Sequence, residues 1–531
     1  MTDGWLLGNG PIWTGDRDVE ALGIAGDRIL AAGTEEEARA AIGADARFVD
    51  LGGHRVIPGL IDSHVHFLRA GMHWNDVVRW DDVETLQQGL SRIAQMASET
   101  PEGTWIRVLG GWHPHRFVEG RGPTRSELDA AAPDHPVYVQ LLYEEAVLNS
   151  LAIAAALGKA DPSGGTIDRD GSGAPTGIIR GPGAFASVLA SIPQPSVEKQ
   201  RASFQALMAE CTRLGLTGVV DPGGFGVSPV SYHGLLDVWK SGDLDLRVRL
   251  YVVPWERGSE VAQIRSWVED IEPGTGDDWL RYVGVGEIFT FDAHDMEGLN
   301  PFTVGAEARA DLVEITTLLA RSGWPGHLHA ILDPTIDAVL DVWEQVASEE
   351  GALPRFSLTH ADFISERNLK RARDLGIGIG TQSRFLFRAA DGAASWGASV
   401  VAGAPPLRDI LDLSIPLGAG TDGTVVTPIN PWLTIWWLVT GNSLDGAPPR
   451  DARHRLTRVE GLAAYTSGSA WFSLEERTRG RLAPGMLADL VVLSDDYFAM
   501  DDDRIPDLTS LLTMIGGRIV HAKGSFTRFI A

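Results

Sequence analysis

Apolar residues recur along this chain in two periods. Short β-rich runs bounded by Gly, Pro and Asp fall at 55–61, 217–220, 247–253, 282–288, 327–329, 355–359, 376–380 and 415–420. Between most of them the spacing turns helical, as at 197–214, 306–320, 335–348 and 366–374. Eight such runs joined by helical crossovers predict an α/β fold, a (β/α)8 (TIM) barrel whose functional groups sit at the C-terminal ends of its strands. The first fifty residues instead read as short strands cut by turns at Gly8, Gly26, Gly33 and Gly52-Gly53, and this texture returns at 488–493 and 512–520. The expectation is one small composite β-sandwich domain from both termini, 1–56 plus 480–531, around a barrel at 57–479. The stretch from about 81 to 195 is too long for one crossover and reads as a large insertion over the barrel mouth, with loops at 162–165 and 170–173.

Composition narrows the function. The 531 residues carry 45 Lys+Arg against 71 Asp+Glu, a net charge of −26, with no basic cluster, which argues against nucleic acid and anionic membranes as partners. The longest apolar stretch, 433–439, is too short to span a bilayer, and the opening residues show no basic segment leading into an apolar run. One cysteine, Cys211, makes no intrachain disulfide and sits in a helical apolar pattern that argues for packing. The expectation is a cytoplasmic protein acting on a small molecule.

Random placement of 14 histidines in 531 residues gives about 0.4 His-x-His pairs, whereas the chain has three. Residues i and i+2 of a strand share a face, so both imidazoles of a pair can reach one point. His64 and His66 follow the first run, His327 and His329 form the fifth, and His113 and His115 lie in the insertion. Other runs end at Glu287, His360 and Asp422, so five strand ends bring N/O donors suited to zinc or another divalent transition metal to one mouth.

The segment Pro58-Gly59-Leu60-Ile61-Asp62-Ser63-His64-Val65-His66, with Leu148-Asn149-Ser150, Gly164-Gly165-Thr166-Ile167, Pro175-Thr176-Gly177-Ile178, His329, His360, Gly420-Thr421-Asp422 and the tail 480–490, resembles the metal-dependent amidohydrolase superfamily. Within it the resemblance is to the subgroup that contains N-substituted formamide deformylases, and it spans almost the whole chain. It implies a hydrolase of non-peptide C–N bonds with two divalent ions, zinc first and manganese, iron or cobalt as alternatives. One metal would take His64, His66 and Asp422, the other His329 and His360. Asp422 would be the catalytic base toward a metal-activated hydroxide and then the acid toward the leaving nitrogen. The resemblance further implies a dimer.

The sequence departs from that pattern at two positions. Many relatives carry a lysine, often carbamylated, after the fourth strand, where Glu287 aligns here; a carboxylate can bridge two cations, or simply pair within the barrel. Glu144 occupies a usual histidine position ahead of Asn149-Ser150 and is either a substrate group or a solvated acidic turn. Trp112, His113, His327 and Arg384 complete the candidate substrate-binding set. His113 competes with a surface-loop role, His327 with a supporting role behind the ligands, and Arg384 with a capping salt bridge. A lyase or other non-hydrolytic reaction at the same centre, or a metal-binding barrel without catalysis, are the alternatives.

Overall fold

The computed structural model describes residues 4–43, 45–158 and 160–530. Its centre is a parallel sheet of eight strands among the described residues: β1 (Leu60–Asp62), β2 (Leu216–Asp221), β3 (Arg247–Val252), β4 (Leu280–Val285), β5 (Gly326–Ala330), β6 (Phe356–His360), β7 (Gly378–Gln382) and β8 (Leu417–Gly420). Neighbours pair in chain order, and two backbone bonds draw the ends together into a barrel: Ser63 N–H donates to the Ala419 carbonyl at 3.1 Å and Asp422 N–H to that of His64 at 2.8 Å. The crossover helices Val197–Arg213, Ala306–Ser322, Asp333–Glu350 and Glu366–Asp374 match the helical periodicity to within a few residues. Helix Asp333–Glu350 buries Ile336, Val339, Leu340, Trp343 and Val346, the i, i+3, i+4, i+7 and i+10 positions of one stripe.

The run at 55–61 serves two sheets. Val56–Pro58 pairs with Leu490–Leu493, and only after Gly59 does the chain enter the barrel as β1. A side chain at Gly59 would meet Thr217 at 2.3 Å, so the crossing from one sheet to the other needs this glycine. Val56–Pro58 lies inside a sheet of six strands among the described residues, ordered Arg518–Ala522, Ser510–Ile515, Leu490–Leu493, Val56–Pro58, Ile12–Trp13 and Asp18–Val19. A second, four-stranded sheet orders Arg28–Gly33, Ala21–Ala25, Gly4–Gly8 and Arg47–Asp50 among the described residues. Leu7, Leu22, Ile29, Val56, Leu490 and Met514 share one buried cluster between the two sheets.

The long connection after β1 contains its own sheet, Thr166–Arg169, Pro175–Arg180, Glu145–Leu148, Val137–Leu141 and Ile106–Leu109 in spatial order. Trp80, Trp112 and Phe117 fill its core together with Val108, Leu128 and Val139. Val426, just past β8, packs into the same cluster, which ties this unit to the barrel mouth.

At the opposite end of the barrel, buried charges join it to the terminal sheets. Asp489 accepts from Arg247 and Arg479, both at 2.9 Å, and Glu475 accepts from Arg249 at 2.6 Å and Arg479 at 2.9 Å. Each arginine is buried but meets a carboxylate, the condition under which such charges are tolerated.

Candidate metal centre

Strand ends place the ligand candidates. His64 and His66 follow β1, Glu287 lies two residues past β4, His329 is in β5, His360 ends β6 and Asp422 lies two past β8. All six are buried. His66 Nε2 is 3.1 Å from Asp422 Oδ1 and 3.8 Å from Glu287 Oε1, and His64 Nε2 is 3.4 Å from Glu287 Oε2 and 3.6 Å from Asp422 Oδ1. The ring centroids of His329 and His360 are 4.5 Å apart. Backbone geometry is unusual at two of the six, with φ of 71° at His360 and 58° at Asp422, a left-handed conformation that costs energy in an L-residue and gathers at functional sites.

Hydrogen bonding leaves the inward nitrogens bare. The Gly223 carbonyl, 2.7 Å from His66 Nδ1, can only accept, so Nδ1 carries a proton and the ring is fixed with Nε2 turned to Asp422 Oδ1. Thr359 hydroxyl donates to Gln382 Oε1 at 3.2 Å and therefore accepts from His64 Nδ1 at 3.0 Å. Behind it, Ser357 hydroxyl donates to the Gly326 carbonyl and accepts from His327 Nδ1 at 2.7 Å, so His327 Nε2 is the acceptor 3.1 Å from His64 Nδ1. His64 Nε2 is thus unprotonated and without a partner. His329 donates from Nε2 to Asp295 at 2.9 Å and leaves Nδ1 bare, and His360 Nδ1 likewise has none. Buried imidazole nitrogens without partners, with the opposite nitrogen fixed by an acceptor in His64 and His329, suit a divalent transition metal. The donor set therefore fits a metal.

Three carboxylates hold this arrangement from outside. Asp62 accepts from Thr421 Oγ1 at 2.6 Å and from the backbone of Thr421 and His64, clamping β1 to β8; burial pushes its carboxyl up to about 7. Asp221 accepts from Gly223 N–H at 2.7 Å and so fixes the carbonyl that orients His66. Asp295 accepts from Ile331 and Leu332 N–H as well as from His329.

A small cavity of about 30 Å³ opens on these groups, lined by His66, Glu287, His329, His360 and Asp422 and walled by Tyr143, Phe225, His294, Met296, Glu297, Ile331, Arg384 and Val426. His294 is absent from the strand-end pattern. It stacks on His329 at 3.6 Å between centroids and accepts from Met296 N–H through Nδ1, so its Nε2 is a donor; burial and His329 push its pKa down to about 3 and keep it neutral. Arg384 lines the cavity and pairs with Asp362 at 3.0 Å. The other substrate candidates lie elsewhere. His327 sits wholly buried behind His64, and Trp112 donates to the Gln140 carbonyl inside the insertion core. His113 faces Asp391 at 3.6 Å, and exposed Glu144 pairs with Arg388.

The amidohydrolase family model matches residues 47–521. The chain belongs to the amidohydrolase family. This amidohydrolase is 28% identical to Protein LONG AFTER FAR-RED 3 of Arabidopsis thaliana, over 97% of this chain and 91% of that protein. It is 26% identical to the N-substituted formamide deformylase of Arthrobacter pascens, over 94% of each. Among solved structures, an uncharacterized metal-dependent hydrolase from Pyrococcus furiosus superposes with a TM-score of 0.68 at 25% identity, covering 93% of this chain and 99% of that one.

Proposed function

We propose that this amidohydrolase hydrolyses an amide-type C–N bond of a small molecule, and that it uses two divalent metal ions. The observation that carries the reading is the set of bare histidine nitrogens converging with Glu287 and Asp422 at a small cavity. His64, His66 and Asp422 would hold one ion and His329 and His360 the other, with Glu287 between them. When bound, such ions lower the pKa of a coordinated water to about 7 and polarise a carbonyl oxygen. The protein's own residues do the rest. Asp422 Oδ1, within 3.6 Å of both His64 and His66, takes the proton of the attacking water and passes it to the departing nitrogen. His294 Nε2–H donates to the oxygen that gains charge, and Tyr143 and Phe225 wall the cavity with aromatic surface. The kinship to an N-substituted formamide deformylase makes N-substituted formamides the first substrates to try.

Elemental analysis of the purified protein, beside Glu287→Ala, tests the centre. About two ions per chain, falling to one or none in the variant, is the expected result. No metal, or two ions unaffected by the substitution, overturns it. Turnover of a formamide and acylamine panel in oxygen-18 water must place solvent oxygen in the acid product; acid or alternative products without the label would assign a non-hydrolytic reaction.

A further inference from the structure

Beside the metal cavity lies a much larger one of about 740 Å³, the size of a site for a drug-sized ligand. Tyr143, Phe225 and Met296 line both, so a molecule held in the large cavity can present one end to the metal ligands. Its walls are apolar, with Trp74, Phe185, Leu189 and Ile192 among them. No Asp or Glu lines it among the described residues, although the chain has 71, whereas Arg69, Arg79 and Arg107 do.

Arg79 has a counter-charge, Asp81 at 3.1 Å, and lies over the Trp74 ring. The other two are less well matched: Arg107 meets only a distant carboxylate and Arg69 none in an ion pair among the described residues. Arg107 is 5% exposed, and its Nε has no partner; Nη2 donates to His73 Nδ1 at 3.3 Å, and the nearest carboxylate, Asp76, is 3.9 Å away. Burial, then Arg107, pushes His73 down to about 4, so it supplies no charge of its own at pH 7. Arg69 makes one long bond from Nη1 to the Phe225 carbonyl at 3.4 Å, lies over the Tyr143 ring and bonds its hydroxyl, and leaves Nη2 without a partner; it forms no ion pair among the described residues, though the charges of Glu287 and Asp422 reach it. A buried guanidinium short of acceptors is costly unless an anion completes it, and its planar fork suits a carboxylate.

We propose that the large cavity binds a substrate carrying a bulky apolar group and a carboxylate remote from the scissile amide, with Arg107 and Arg69 as the anion-binding residues. This rests on the hydrolase reading for the amide and on the cavity alone for the acid. The apolar walls take the hydrocarbon, and the arginines fix its acid end at a set distance from the metal ligands.

Binding and turnover are read separately on the metal-loaded protein. In calorimetric titrations 4-phenylbutyrate binds at least tenfold tighter than 4-phenyl-1-butanol. Arg107→Gln removes that difference and leaves the alcohol within twofold, while Asp422→Asn leaves acid binding unchanged. In kinetics, Arg107→Gln raises KM for 4-(2-formamidoethyl)benzoate, whose acid lies across the ring from the amide, at least tenfold with kcat within twofold, and barely alters N-(2-phenylethyl)formamide. Equal affinity for acid and alcohol, or acid binding that is indifferent to Arg107 and lost with the metal, overturns the proposal. Arginine-dependent acid binding with neither amide turned over keeps the anion site and overturns the hydrolase reading instead. If Arg107→Gln does not fold, Arg69→Gln and Arg107→Lys carry the same comparison.

Discussion

Asp422 joins three features in one residue: a left-handed φ, a backbone bond that closes the barrel onto His64, and a carboxylate oxygen near both histidines of the first pair. Asp422→Asn keeps the shape and removes the proton acceptor. It is expected to lower kcat by about 10²–10⁴-fold while metal content by elemental analysis falls by no more than one ion. Asp295→Asn acts one step further out: without a full negative charge on His329 Nε2–H and two backbone donors, affinity at that ligand drops roughly 10–100-fold, read by competition with a chelator. The histidines and carboxylates at strand ends were legible in the sequence because residue type and position coincide there. His294 was not, since it follows a turn nine residues beyond β4 and no period marks it. Trp112 misled for a related reason: it neighbours a His-x-His pair, yet its ring stacks on Phe117 with 5.4 Å between centroids, inside a separate core.

Among elements, the loop after β2 constrains the site directly. Gly224 has φ +116°, and a Cβ there would lie 2.7 Å from His66 Cε1 and 2.8 Å from Glu287 Oε1. Gly224→Ala should therefore cost metal and activity together while circular dichroism stays that of the native fold; a variant that keeps full metal content would show that the loop yields. No sequence period could reveal this, because the clash is between side chains far apart in the chain. The same limit hid the division of the run at 55–61. Its residues are apolar on both sides of Gly59, and only pairing partners 156 and more positions away tell one sheet from the other. The strands of the insertion, such as Val137–Leu141, pass unread for another reason: this one is buried on both faces and lacks the alternation of a half-exposed strand.

For the whole molecule, the buried arginines below the barrel are the main electrostatic joint. Burial would raise Glu475 and Asp489, but Arg479 with Arg249, and Arg247 with Arg479, hold them below the ordinary values of 4.5 and 3.8. Folded values below unfolded ones mean that this stabilisation is complete above those pH values and is lost as pH falls beneath them. Glu475→Gln leaves two arginines short of a carboxylate and should cost about 3–5 kcal/mol at pH 7, a penalty that narrows toward pH 3 in urea unfolding. Metal-dependent turnover of the remaining folded protein is expected to be unchanged, since this joint lies at the opposite end from the site. The pairing of Val56–Pro58 with Leu490–Leu493 adds a constraint in time. At 5–20 residues per second a ribosome needs roughly 20–90 s to deliver the second strand after the first. Until then the strand that leads straight into His64 and His66 has a bare edge, so the metal site reaches its final form only when synthesis is nearly over.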